Sequence, residues 1–206
     1  MPTPNLDVLQ LRAEIAANAA RMIAQDGADY PTARRKAARQ VLGVDQPAPN
    51  LMPDNGQIED EVRKYQALFG GPGHGERLLH LRDIALQVME ELSDFHPYLT
   101  GAVLNGTAGE HDEVHLQLFA DSAKDVIMFL LDRDVPIDIG ESPHFKGGRF
   151  DPVETVSFHW RKQQVFAELY EMNDLRGALK PRADGSRQRA DLDTVQKLIA
   201  DDPLAT

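Results

Sequence analysis

Tyr98-Leu-Thr-Gly-Ala-Val-Leu-Asn-Gly-Thr-Ala-Gly-Glu-His-Asp-Glu-Val-His-Leu-Gln-Leu-Phe-Ala-Asp121 is the stretch that decides how this chain is read. Leu99 to Leu104 is short, apolar and β-compatible, and Gly106-Thr107-Ala108-Gly109 interrupts it. From Glu113 to Phe119 polar and apolar residues alternate. Glu113, His115 and Gln117 fall on one face, and Val114, Leu116 and Leu118 on the other, as a half-buried strand requires. The apolar face would anchor the strand while the polar face offers ligands.

Working outward, residues 76–95 carry Leu78, Leu79, Ile84, Ala85, Val88, Met89 and Leu92 at helical intervals and lead directly into the first strand. Beyond the second strand, Ser122 caps a predicted helix over 123–133, followed by a strand over 135–139 and a loop over 143–152. Residues 153–160 and 164–170 form a hairpin-like pair around Arg161-Lys162-Gln163, a polar turn without Asn-Gly chemistry. A last helix begins near Asp191.

The N-terminal third reads differently. An amphipathic helix over 6–25 ends before Gly27, and a shorter one runs from Pro31 to Leu42 and stops at Gly43. Asp54 with Gln57 forms a capping-box pattern that opens a third helix ending at Gly70-Gly71. The glycine-rich run 70–75 marks a boundary between a helical segment, 1–73, and a core, 74–206. The expected class is α+β: a small mixed sheet backed by helices and preceded by a helical N-terminal segment.

Composition narrows the functions. The chain has 206 residues, no cysteine and a formal net charge of −11. Disulfides and thiolate chemistry are excluded, and extended wrapping of nucleic acid is disfavoured. No run reaches the roughly 18 apolar residues of a membrane span, and the N-terminus lacks the signature of a signal peptide. The expectation is a cytoplasmic protein. Two basic clusters stand out against the acidic balance, Arg34-Arg35-Lys36 with Arg39, and Lys180, Arg182, Arg187 and Arg189.

The central stretch resembles the signature of the DNA polymerase β-like nucleotidyltransferase superfamily: an apolar strand ending in a glycine turn, a polar spacer, then alternating acids on the next strand. The resemblance covers roughly residues 76–170. It implies that Gly106 and Thr107 approach the phosphates of a nucleoside triphosphate, and that Glu113 and His115 occupy the two metal-holding positions. Glu168, on the second hairpin strand, falls where the third carboxylate would be. The implied cofactor is a divalent metal, magnesium or manganese, held by Glu113, His115 and Glu168. The second metal position is occupied here by histidine, and an imidazole does not bridge two hard magnesium ions as a carboxylate does. A competing reading places zinc or ferrous iron on His111, Glu113 and His115.

Three functions are therefore expected. The first is transfer of a nucleoside monophosphate from a nucleoside triphosphate to an unknown acceptor, with Glu113, His115 and Glu168 catalytic. The second is a degenerate nucleotide-binding module on the same architecture. The third is an interaction module that meets a protein partner through its N-terminal helices.

Overall fold

The computed structural model of the protein describes residues 6–71, 73–109, 112–178 and 188–204. Contacts divide the chain into two compact units, Met1–His74 and Gly75–Thr206.

The first unit is built on three helices, α1 (Leu6–Asp26), α2 (Tyr30–Leu42) and α3 (Asn55–Phe69). Small residues let them approach closely. Ala16, Ala19 and Ala20 of α1 and Ala33, Ala37 and Ala38 of α2 are buried with Ile15, Ile58 and Val62. Asp29 caps α2 by accepting from the Thr32 N–H, and Gly43 closes it in the left-handed conformation. The Asp54–Gln57 capping box forms as the sequence predicts, with both reciprocal hydrogen bonds present. Arg34, Arg35, Lys36 and Arg39 all lie on α2.

The second unit is α+β. Its elements run α4 (His74–Glu91), β1 (Tyr98–Thr100), α5 (Gly101–Asn105), β2 (Val114–Ala120), α6 (Ala123–Leu131), β3 (Asp138–Ser142), β4 (Val153–Trp160), β5 (Gln163–Glu171), α7 (Met172–Ala178) and α8 (Leu192–Ala200). The five strands form one mixed sheet in the order β1-β2-β5-β4-β3, with β2 and β5 parallel and the other neighbours antiparallel. One face is apolar. Val114, Leu116 and Leu118 of β2 and Val165, Ala167 and Leu169 of β5 share a core with Leu81, Ile84, Val88 and Met89 of α4 and Val126 and Leu130 of α6. Each large side chain in that layer contributes on the order of 2 kcal/mol by leaving water. Buried Arg82 of α4 ties the chain's end to this core, donating to the Val103 carbonyl and pairing with Asp202. Burial pulls its pKa down and the Asp202 charge opposes the shift.

Several expectations need correction. The first strand stops at Thr100, and the apolar run after it closes a helical turn instead. Gly101, at φ 70°, turns the chain out of the strand, and Val103 then buries completely in the core. A short apolar run satisfies either geometry, and the core decided which. Glu113 precedes β2 rather than lying within it. The strand expected over 135–139 begins at Asp138, because the Val135 N–H still belongs to the turn closing α6, donating to the Leu130 carbonyl. The following Pro136 has no N–H to give a ladder. Helix α4 ends at Glu91, four residues short of the expected 95, and α7 had no counterpart in the sequence reading.

Among the described residues, no helix is long and apolar enough to cross a membrane.

Candidate functional site

The candidate site lies on the face of the sheet opposite α4 and α6, where side-chain alternation puts the polar residues. Register aligns them. Gln117 of β2 lies opposite Glu168 of β5, and Glu168 lies opposite Thr155 of β4. Among the residues of β2, β4 and β5 that share this face, Glu168 is the one carboxylate.

Glu168 is held from two sides. The Gln117 side-chain amide donates to its Oε2 at 2.7 Å, and the Tyr170 hydroxyl donates to the same oxygen at 3.1 Å. Gln117 is oriented in turn by buried Arg189, whose Nε donates to its Oε1. A carboxylate, an amide and a guanidinium thus form one chain of charge-assisted hydrogen bonds. Burial drives the Tyr170 hydroxyl far above its usual pKa, and the adjacent Glu168 charge adds to the shift. Tyr170 therefore stays protonated and remains a donor. Burial lowers the pKa of Arg189, with Tyr170 and Glu168 opposing the shift.

An aromatic layer walls this network. Phe119 and Tyr170, opposite each other on β2 and β5, stack with centroids 5.5 Å apart, and Tyr98 meets Phe119 edge-on at 5.6 Å. Phe145 packs edge-on against Tyr170 at 4.9 Å and carries the Arg189 guanidinium 4.4 Å above its ring.

Beside the wall, Asp174 of α7 fastens the loop after β3. The Lys146 N–H donates to His144 Nδ1 at 3.0 Å, so the imidazole proton resides on Nε2, which meets Asp174 Oδ2 at 3.3 Å. Lys146 also donates through Nζ to Asp174 Oδ1. Burial pushes the Asp174 carboxyl up, but the hydrogen bonds from Lys146 and His144 outweigh it and hold the pKa below the usual carboxylate range. With Nδ1 accepting a backbone hydrogen bond and Nε2 facing Asp174, His144 holds the loop in place. An open depression of about 620 Å³ lies here, lined by Ser122, His144, Phe150, Tyr170 and Asp174 and rimmed by Asp121, Asp151, Glu154 and Glu171.

The residues singled out in the sequence are distributed unevenly around this centre. Glu168 is at it. His115 shares the face one step along β2, opposite Thr100 and Phe166, with its ring 5.3 Å from the Phe166 ring. Glu113 lies before the strand and outside the ladder. Among the described residues, no three His, Asp or Glu side chains gather closely enough to hold a metal ion, so Glu113, His115 and Glu168 do not form a ready metal site. His111 lies outside the described residues, as do Lys180, Arg182 and Arg187.

Gly106 and Thr107 lie at the C-terminal end of α5, and their N–H groups are already used. Gly106, at φ 80°, caps the helix by donating to the Ala102 carbonyl. The Thr107 N–H donates to the same carbonyl at 2.9 Å and to Asn105 Oδ1 at 3.1 Å, and the Thr107 hydroxyl donates to Asn105 Oδ1 at 2.6 Å. The turn expected to cradle phosphates is thus a buried helix cap, and the glycine that ends the first strand is Gly101.

Sequence reasoning missed Gln117, Tyr170 and Arg189 as members of one network. The period-two pattern already put Gln117 on the polar face. The approach of Arg189, 72 residues away in sequence, left no local signal. No family model matches this chain and no curated protein matches it.

Proposed function

We propose that this chain is a nucleotidyltransferase-like protein that binds a nucleotide on the polar face of its sheet without transferring it. Glu168 carries the reading: the acid that the resemblance assigns to the metal is instead tied up by Gln117 and Tyr170. The order strand, short helix, strand, with Glu168 on the strand beside the second, supports the architecture. The depression beside Tyr170, with the half-exposed Phe150 ring in its lining, offers a surface on which a base can stack. The transfer reading needs a divalent metal, magnesium or manganese, which would neutralise charge on the phosphates; Glu113, His115 and Glu168 would hold it, and their described positions do not fit that task.

Melting temperature measured with each of the four nucleoside triphosphates, with magnesium or manganese, tests binding, and a labelled-nucleotide assay on the same samples tests transfer. The expected result is a nucleotide-dependent rise, no turnover, and stronger magnesium-dependent binding in His115→Asp. Magnesium-dependent turnover that Glu168→Gln abolishes would establish the transfer reading instead. Indifference to every nucleotide would refute both.

A further inference from the structure

The two edges of the sheet are treated differently. At β1, Leu99 exchanges two backbone hydrogen bonds with Ala190, of 2.8 and 3.0 Å, so a returning segment covers that edge. At the other end β3 pairs with β4 alone, through five registered pairs from Asp138↔Ser157 to Ser142↔Val153. Among the described residues nothing pairs with its outer side. Four of its five residues are exposed, and Ile139 keeps 58% of its surface in water. A strand edge of this kind presents a row of unused N–H and C=O groups.

The charged residues of β3 and of the β4 segment paired with it have one sign. Glu141 lies directly opposite Glu154 on β4, both exposed, in a cross-strand pair of like charges, which is unfavourable in isolation. Asp138 projects from the opposite face of β3. None of the three meets a cation among the described residues. No proline or lysine protects the strand, and Gly140 has its own reason to be there: a Cβ would come 3.1 Å from the Thr155 hydroxyl.

We propose that the outer edge of β3 is a docking site for an extended basic segment of another protein, which adds a sixth strand to the sheet. Main-chain hydrogen bonds to β3 hold the segment, and side chains set the choice. A lysine or arginine opposite Glu141 relieves the Glu141–Glu154 pair, an apolar residue covers Ile139, and a second cation faces Asp138. The partner therefore reads cation, apolar, any residue, cation along a parallel strand, or the reverse along an antiparallel one. A second copy of this chain does not fit. Pairing two β3 edges would add another Asp138, Glu141 and Glu154 to a junction that already lacks a counter-charge.

The test uses the full chain and two synthetic peptides, Thr-Lys-Val-Thr-Lys-Thr and its reverse. Controls replace the lysines by glutamates, or methylate the peptide's backbone nitrogens. At low ionic strength one lysine peptide is expected to bind with a Kd between about 10 μM and 1 mM. It should protect amides of residues 138–142 from hydrogen exchange and bind about tenfold or more tighter than its glutamate version. N-methylation should abolish binding to wild-type protein, a control independent of any variant's folding. Exchanging both charges, Glu141→Lys with Glu154→Lys, should reverse the preference between lysine and glutamate peptides, with Trp160 fluorescence verifying the fold. The proposal is overturned if neither lysine peptide binds at about 1 mM, if lysine and glutamate versions bind alike, or if N-methylated peptide binds as well as its parent. Protection confined to residues outside β3 overturns it as well.

Discussion

Replacing Gln117 by leucine tests whether the network on the sheet face is a unit. Leucine has nearly the same volume and suits a strand, so packing changes little, yet both hydrogen bonds through the amide vanish. The Glu168 carboxylate loses the donor at 2.7 Å, and Arg189 loses its acceptor on Gln117. Gln117 is only 6% exposed, so water replaces those partners poorly. Each hydrogen bond to a charged group is worth about 1.5–3 kcal/mol, and with partial relaxation the expected loss is about 3 kcal/mol. Glu168→Leu should cost a similar amount. The double variant should cost about 1–2 kcal/mol less than the sum, because the shared bond is lost only once. The assay is urea unfolding at pH 7 followed by Trp160, the chain's single tryptophan, which lies on β4 of the same sheet. A Gln117→Leu loss below about 0.5 kcal/mol, with additive effects in the double variant, would show that the three side chains act independently and would remove the centre of the proposed site.

Two further outcomes concern the surroundings. Because the Asp174 carboxyl is held below its ordinary pKa, its contribution is complete above the unfolded value of about 3.9 and disappears as pH falls through the folded one. Asp174→Asn should therefore lower stability by about 1 kcal/mol at pH 7, and the gap to wild type in urea midpoints should close on acidification below about pH 4. The hairpin between β4 and β5 turns through Arg161 and Lys162, at φ 47° and 72°, both in the left-handed region. Arg161→Asn with Lys162→Gly should raise stability by about 1 kcal/mol, read as a higher melting temperature; an unchanged or lower value would mean that these side chains have a role the backbone does not reveal.

Much of this molecule was legible locally. The helices of the first unit follow from spacing and caps: the Asp54–Gln57 box, Pro31 at the start of α2 and Gly43 at its end each satisfy backbone groups that a helix terminus leaves open. The alternation from Val114 to Leu118 determined which side chains turn toward α4 and α6, because a strand's side chains must point to opposite faces, but it did not foretell that Gln117 and Phe119 on the other face would be buried as well. What tertiary structure alone decided is everything that depends on distant pairing. Residues 101–105 are apolar enough for strand or helix, and burial of Val103 against the core selected the helix, turning Gly106 and Thr107 into a cap. The same holds for the site: Glu168 was a candidate in the sequence, but its chemistry depends on the parallel pairing that brings it beside Gln117 and on the approach of Arg189 from the far end of the chain. Local pattern specifies which way a side chain points; only the assembled sheet specifies what it meets.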